Sequence, residues 1–182
     1  MIVRPTVQIL AISGSLRQGS INAAALRAAA ATARDGVAVA IDSLIADLPH
    51  FTPDLEDDPP EVVVRFRDAC QQADAVLLAV PEYAHGIPGA FKNALDWTVA
   101  TGCLNQKPIA LINLAPPGRG MNLVLAIDLV MRALDATIVH HTLPVSRADI
   151  GATGEIIGPR IIAELRSVVA MLAERSGARD AA

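Results

Sequence analysis

The sequence predicts a single three-layer α/β domain over residues 1–182, in which a five-stranded parallel sheet lies between helices. Short β-branched apolar runs alternate five times with longer helical patterns, as in a doubly wound sheet. Hydrophobic residues make up 52% of the chain and aromatic residues only 3%, so alanine and the aliphatic residues must build the core, which is typical of parallel sheets covered by helices. The length suits one domain, and no repeat or long linker divides it.

In the first part of the chain, residue types mark the boundaries of the predicted strands and helices. The first apolar run stops at Ser13-Gly14-Ser15, and an alanine-rich segment follows it. Prolines stand just ahead of the second and third helical patterns, where the missing N–H is tolerated. We expect, in chain order, strand 6–12, helix 21–34, strand 37–41, a Pro- and Asp-rich loop 49–60, helix 61–73, strand 75–80 and helix 89–100.

The second part continues the alternation. Apolar runs again precede segments of helical period, and a glycine-rich stretch precedes the last helix. We expect strand 108–114, helix 119–134, strand 137–140 with a short extension near 143–145, loop 151–158, helix 159–175 and a frayed end over 176–182.

Charge and cysteine content limit the possible partners. The net charge is −4 with no basic cluster, so nucleic acid is not expected as a main partner. The acidic run 56–58 is interpreted as a solvated loop and not as a metal site. Cys70 and Cys103 form no CxxC pair, which predicts neither a disulfide framework nor a zinc site. With no signal-like leader and no apolar run long enough for a bilayer, we expect a soluble cytoplasmic protein without a membrane partner.

Ligands of open parallel sheets bind beyond the carboxyl ends of the strands, so the loops after strands one, three and four are candidate sites. The first loop, 13–20, opens a helix, and its N–H groups, serine hydroxyls and Arg17 suit an anion. It has neither the Gly-Lys-Ser/Thr ending of an NTPase loop nor the G-x-G-x-x-G of a dinucleotide fold. The alternative is a plain turn in which Ser20 is an ordinary helix cap.

The other two loops are less specific. Backbone groups of the second loop, 81–97, could form hydrogen bonds with the edge of a flat ring. Alternatively, the prolines of this loop only shape a turn. For Tyr83 alone, packing is favoured. The third loop, 113–120, could form a third wall of the same site or a Pro-Gly turn, and the residues favour neither.

Two motifs in these loops resemble the NADPH-dependent FMN reductase family, which includes quinone and chromate reductases and some azoreductases. The segment GSLRQGSIN at 14–22 resembles the family's G-S-x-R-x-x-S-x-N signature. The segment PEYAHGIPGAFKNALDW at 81–97 resembles its P-E-Y-N-x-x-x-P-G-x-x-K-N-x-x-D-W signature. The resemblance implies a flavodoxin-like fold with strand order 2-1-3-4-5, bound FMN, and NADPH or NADH as co-substrate.

The resemblance also implies a set of cofactor-binding residues. The first loop and helix start would hold the FMN phosphate, the second loop would line the isoalloxazine largely through backbone groups, and the third loop would complete the site. The expected residues are Ser13, Ser15, Leu16, Arg17, Ser20, Ile21, Asn22, Pro81, Glu82, Tyr83, Ala84, Ala115, Pro116 and Gly118. No catalytic side chain is expected, because the flavin N5 carries the hydride.

Two departures from the family pattern stand out. Ala84 occupies a position where the family often has Asn, and the third loop lacks the family's Ser and Gly-Gly pair. His85 is interpreted as structural or interfacial and not as catalytic.

The implied function is hydride transfer from NAD(P)H through FMN to a quinone or another small acceptor, in a ping-pong scheme. An electron-transfer flavodoxin and an FMN-binding module without turnover remain as alternatives. A homodimer or homotetramer is expected, with helix three and the loop around Trp97 at the interface, although Trp97 could equally lie in the core.

Overall fold

The computed structural model describes residues 7–177 and contains one five-stranded sheet. Its strands are β1 (Val7–Ser13), β2 (Val37–Ile41), β3 (Ala75–Ala79), β4 (Pro108–Asn113) and β5 (Thr137–Thr142). All neighbouring strands are parallel and the spatial order is β2-β1-β3-β4-β5, which confirms the predicted order. Every residue of β3 and β4 is buried, which explains why their sequences are unbroken apolar runs.

Five helices cover the sheet on both faces, together with three short 3₁₀ turns. The helices are α1 (Ile21–Ala31), α2 (Glu61–Gln72), α3 (Gly89–Asp96), α4 (Met121–Ala133) and α5 (Pro159–Gly177). Side chains of β1 alternate between two cores, because successive residues of a strand point to opposite faces. Leu10 and Ile12 join the core under α2, α3 and α4, whereas Ile9 and Ala11 join the core under α1 and α5.

Helix α1 meets the sheet through very small side chains. Ala24, Ala25 and Ala29 are buried there together with Leu26. Alanine contributes little bulk, so the helix backbone can lie close to the strands. The loop that precedes α1 is thereby held against the carboxyl end of the sheet.

The predicted boundaries hold to within one residue at five elements, β1, β2, α2, β3 and β4, and shift at the other five. Helix one ends at Ala31 because the chain turns there, and helix three ends at Asp96 because residues 97–104 form successive hydrogen-bonded turns. Helix four begins at Met121 instead of residue 119, because Gly118 and Gly120 have φ values of 80° and 86°, which no α-helix admits.

The last strand and helix also differ from the expectation. Strand β5 runs two residues further, to Thr142, and residues 143–145 lie outside it. Helix α5 includes Ser176 and Gly177, which were expected to be frayed. The rest of that predicted frayed end, 178–182, and the predicted start of strand one at Thr6 lie outside the described residues.

Trp97 lies in the core and not at a surface. It is fully buried, its Nε1 donates to the Pro49 carbonyl over 2.9 Å, and its ring meets the edge of Phe51 at 5.0 Å between centroids. The Arg67 guanidinium lies 5.4 Å from the Trp97 ring and also pairs with Glu56 at 2.7 Å. Glu56 is therefore part of a buried network, whereas Asp57 and Asp58 are exposed as predicted for a solvated loop.

Lys107 is buried at the start of β4 and holds the end of α2. Its ammonium donates to the carbonyl oxygens of Cys70 (2.6 Å), Gln71 (3.2 Å) and Ala73 (2.5 Å). The last carbonyls of a helix lack partners within the helix, and a cation there also matches the helix dipole. Lys107 thus satisfies groups that would otherwise be buried without a donor.

We expect Lys107→Met to lower the free energy of unfolding by about 2 kcal/mol, because buried carbonyls lose charge-assisted hydrogen bonds. Chemical denaturation monitored by circular dichroism measures this change. Lys92→Met is the matched control, since Lys92 is 43% exposed and pairs only with Asp96 one turn away. Equal effects of the two substitutions would contradict this role.

Candidate functional site

A cleft of about 730 Å³ opens at the carboxyl edge of the sheet. Its walls come from the start of α1, the loops after β3 and β4, and the segment after β5. The lining residues are 21–22, 80–82, 85, 113–116, 118–122, 145 and 150. This volume is within the usual range for sites that hold an organic cofactor.

The first loop is held tightly at its start. The Gly14 N–H donates to the Ala79 carbonyl (2.9 Å), and a Cβ on Gly14 would lie 2.5 Å from Val80 Cγ1. Only glycine therefore allows the loop to pass this close to the end of β3. The Ser13 hydroxyl donates to the Ser15 carbonyl and accepts from the Ser15 N–H, and the Ser20 side chain caps α1 by accepting from the Ala23 N–H.

The middle of the first loop presents donors without acceptors. Among the residues described, the backbone N–H groups of Leu16, Gln18 and Gly19 have no protein acceptor. Leu16 and Arg17 are exposed, and Gly19 has a φ of 68°. An exposed arginine and free N–H groups at the start of a helix form an environment suited to an anion.

Two buried asparagines line the cleft with unused hydrogen-bonding capacity. Asn22 and Asn113 are each only 6% exposed. Within residues 7–177 the Asn22 amide has no protein partner, and Asn113 uses only its Oδ1, which accepts from the Ala115 N–H at 3.1 Å. The unpaired amide atoms remain accessible from the cleft, so they can bond to a polar ligand there.

The second loop contains a tight turn in a rare conformation. Tyr83 and Gly86 exchange backbone hydrogen bonds of 3.1 and 2.9 Å, and Ala84 and His85 between them have φ values of 48° and 59°. The Tyr83 hydroxyl lies 3.3 Å from Ser15 Oγ, so the first and second loops are joined. Tyr83 is 50% exposed, which does not fit the packing role favoured for it from sequence.

Glu82 joins the second loop to the start of α4. Its Oε2 accepts from the Leu123 N–H at 3.1 Å, and its Oε1 lies 3.4 Å from the Asn122 amide nitrogen. The residue before α4 is Gly120, which has no side chain for capping, so Glu82 supplies the missing acceptor. The Leu123 N–H, followed by the Asn122 amide and His85, holds the pKa of Glu82 below its usual range.

His85 is prominent but loosely held. Its side chain is 86% exposed, its Nδ1 lies 3.4 Å from Glu82 and 3.1 Å from the Asn122 amide nitrogen, and it reaches the rim of the cleft. No metal cluster accompanies it, since residues 7–177 contain no group of three metal-ligating side chains.

The structure places half of the predicted cofactor-binding residues on the cleft itself. These are Ile21, Asn22, Pro81, Glu82, Ala115, Pro116 and Gly118. The others lie on the two joined loops beside it: Ser13, Ser15, Leu16, Arg17, Ser20, Tyr83 and Ala84. Their contacts with a cofactor stay a prediction.

Sequence reasoning missed lining residues from two places. Met121 and Asn122 begin α4, and Val145 and Ile150 follow β5. The parallel direction of β5 was a usable signal, because its carboxyl end must reach the same edge as the others. The residues of α4 carried no motif that would mark them.

Comparison with known proteins agrees with this geometry. Residues 7–149 match the family model for NADPH-dependent FMN reductase. The probable NADPH:quinone oxidoreductase 2 of Oryza sativa subsp. japonica is 32% identical over 176 residues, which cover 91% of this chain and 87% of the rice protein. The probable NADPH:quinone oxidoreductase 1 of the same plant is 39% identical over 116 residues, and the match spans only 59% of its length and 60% of this chain.

A solved structure supports the same conclusion. The flavoenzyme NAD(P)H:(acceptor) oxidoreductase from Paracoccus denitrificans superposes with a TM-score of 0.75 at 27% identity, over 94% of this chain and 97% of that protein. The flavodoxin-like fold and the family resemblance predicted from the two motifs are thus confirmed. The chain belongs to the NADPH-dependent FMN reductase family, whose members are flavin-dependent oxidoreductases.

Proposed function

We propose that this chain holds FMN in the cleft at the carboxyl edge and uses NAD(P)H to reduce a quinone or another small acceptor, by a ping-pong scheme. The observation that carries the proposal is the pairing of a donor-rich loop with an open cleft of about 730 Å³ beside it. Family membership supports the enzyme class and the cofactor. The names of the two rice relatives support a quinone as acceptor.

In this proposal, the first loop binds the phosphate of FMN. The free N–H groups of Leu16, Gln18 and Gly19, the Arg17 guanidinium and the Asn22 amide supply donors to its oxygens. Ser15 and Ser20 also belong to this loop, but the hydroxyl of each already makes a hydrogen bond within the protein. Such donors replace the water that a phosphate loses on binding, and the α1 dipole adds to them.

In the same proposal, the isoalloxazine ring of FMN binds between the second and third loops. Val80 and Pro81 offer apolar surface, and Asn113 offers an unused amide N–H group. When bound, FMN supplies the redox chemistry by accepting a hydride and passing it to the acceptor. The chain's part is to hold the ring, to donate hydrogen bonds to its polar edge and to leave one face open to the two substrates in turn.

A side-chain acid is not required by this scheme. His85 is 86% exposed at the rim, so water reaches the cleft and can supply protons. An electron carrier that does not react with NAD(P)H is the less favoured alternative, because the family model and the relatives named above describe NAD(P)H-dependent reductases.

We further propose that the protein forms a homodimer through α4. Met121, Leu125 and Leu129 are 61%, 60% and 65% exposed and form one stripe, since they are four residues apart. Met121 also lines the cleft, so a partner on this stripe would cover the open side of the site. Trp97 itself lies in the core, the alternative that the sequence left open, and an interface at α3 stays a prediction.

The cytoplasmic location and the lack of a nucleic-acid partner remain predictions from the sequence. In the part of the chain that the structure describes, no helix combines the length and hydropathy needed to cross a bilayer.

The function is tested by anaerobic spectroscopy. FMN-loaded protein should lose its oxidised flavin absorbance on addition of NADPH or NADH and recover it on addition of a benzoquinone. A protein that takes up no FMN would exclude the proposal, and a flavoprotein that NAD(P)H cannot reduce would favour the electron carrier.

Arg17→Ala should weaken FMN binding by about 1.5–3 kcal/mol, or roughly tenfold to a hundredfold in Kd, because one charge-assisted contact to phosphate is lost. Fluorescence titration measures this change. Riboflavin, which has no phosphate, should bind equally to both proteins, and Arg27→Ala on the exposed side of α1 is the matched control. Equal weakening of FMN and riboflavin would show that Arg17 does not contact the phosphate.

Glu82→Ala should speed hydrogen exchange at the Leu123 amide and weaken FMN binding, because the start of α4 loses its cap. Glu82→Gln keeps an acceptor oxygen and should fall between Glu82→Ala and the unaltered protein. Since folding lowers the pKa of Glu82, its contribution is complete above the usual value of about 4.3 and is lost as pH falls through the lowered pKa. A pH series by hydrogen exchange should show this loss in the unaltered protein and not in Glu82→Gln.

Leu125→Glu should convert the dimer into a monomer, because it places a charge in an apolar interface. Light scattering coupled to gel filtration measures the mass, and Arg166→Glu on the exposed face of α5 serves as the control. A monomeric unaltered protein, or a dimer that survives Leu125→Glu, would refute the α4 interface.

A further inference from the structure

Arg119 is a cation on the wall of the cofactor cleft that has no partner of its own. It is exposed and lines the cleft, and within residues 7–177 its guanidinium makes neither a hydrogen bond nor an ion pair. Among the described residues that line the cleft, Glu82 is the one acid, but its oxygens accept from the Leu123 N–H at 3.1 Å and from the Asn122 amide at 3.4 Å. The positive charge of Arg119 is therefore not neutralised by a paired carboxylate.

The backbone on both sides of Arg119 adds further donors. In the described part of the chain, the N–H groups of Gly118, Gly120 and Met121 have no protein acceptor, and all three residues line the cleft. Gly118 and Gly120 have φ values of 80° and 86°, and backbone that includes left-handed residues can gather N–H groups into an anion-binding concavity. One wall of the cleft thus carries a guanidinium and three free N–H groups in four consecutive residues.

A buried side chain supplies an independent donor at the same place. Asn113 is only 6% exposed and lines the cleft, and its Nδ2 has no acceptor among the residues described. A Cβ on Gly120 would overlap Asn113 Nδ2, so the amide lies directly against the third loop. Because Nδ2 has two N–H groups, a hydrogen bond to the flavin ring leaves one for a second acceptor. The amide, the loop N–H groups and Arg119 together form a donor-rich site suited to an anion.

The sheet separates this site from the loop proposed to bind the phosphate. The first loop follows β1 and the third loop follows β4, and β3 lies between these two strands. Neighbouring strands are spaced at about 4.8 Å, so the ends of β1 and β4 are roughly 10 Å apart. A phosphate held by the first loop, with Arg17, leaves the donors of the third loop beside the isoalloxazine. That is where the two substrates bind in turn.

We propose that Arg119 and the third loop determine specificity for the acceptor, by binding an acidic substituent, a carboxylate or a sulfonate, of a quinone stacked on the flavin. The inference rests on the proposed function, because it requires FMN in the cleft. The reaction is unchanged, since the quinone takes up one hydride and one proton and becomes a hydroquinone. The phosphates of NAD(P)H are the other source of an anion, but a ribose separates them from the nicotinamide. A group attached directly to a quinone lies closer to the ring.

Steady-state reduction of two acceptors tests the proposal. 1,4-Naphthoquinone-2-sulfonate and 2-methyl-1,4-naphthoquinone share a ring system and differ in the charge of one substituent. With FMN-loaded protein and NADH, Arg119→Ala should lower kcat/KM for the sulfonate roughly tenfold, mainly through KM, and leave the neutral quinone unchanged. Arg119→Lys keeps the charge and should recover part of the loss. Arg132→Ala, in the last turn of α4, is the matched control for the loss of one exposed cation.

Binding is measured without turnover by titrating the oxidised, FMN-loaded protein with each quinone and following the flavin absorbance. An oxidised quinone does not react with an oxidised flavin, so the titration gives Kd alone. Arg119→Ala should raise Kd for the sulfonate by about the same factor as KM. Added salt should weaken binding of the sulfonate and leave that of the neutral quinone unchanged, because salt screens an exposed charge.

The outcomes separate this inference from the function on which it rests. Equal effects of Arg119→Ala on both quinones, or an effect on neither, would overturn the inference. A loss confined to NADPH or shared by NADPH and NADH, with the sulfonate unaffected, would assign the anion to the hydride donor and would also overturn it. An unaltered holoprotein that reduces neither quinone would contradict the proposed function itself. Unchanged FMN affinity confirms that each variant keeps its fold.

Discussion

The carboxylate of Glu82 holds together two walls of the cleft at the carboxyl edge of the sheet, the second loop and the start of α4. Helix α4 begins after Gly120, which has no side chain to cap it. Glu82, from the loop after β3, supplies the acceptor for the Leu123 N–H in the first turn. The second and third loops are therefore fixed to each other as well as to their strands. The first loop joins them through Tyr83 and Ser15, so all three are tied together by side chains.

The fold, and the edge of the sheet at which the cleft opens, were predictable from the sequence, because both depend on local pattern. Alternating apolar runs indicated the sheet, and parallel strands must place their ends at one edge. The shift of the α4 start was not predictable from residue type, since the left-handed φ values of Gly118 and Gly120 are known only from the structure. Glu82 was expected to line the flavin, but its capping of Leu123 depends on how two distant segments pack.

At the two edges of the sheet, side chains of opposite charge cap opposite ends of helices. At the carboxyl edge, an acid caps the positive end of α4, and the donors at the start of α1 are left free for an anion. At the amino edge, the Lys107 ammonium caps the negative end of α2.

The turn at Ala84 and His85 holds two residues in a left-handed conformation that costs each of them roughly 1 kcal/mol. Asparagine and glycine adopt this conformation more readily, so a single substitution at position 84 would recover much of that energy without disturbing a buried contact. The turn is thus a position at which one substitution can raise the free energy of unfolding. A variant in which this strain is relieved tolerates more destabilising changes elsewhere in the chain, including in the wall of the cleft.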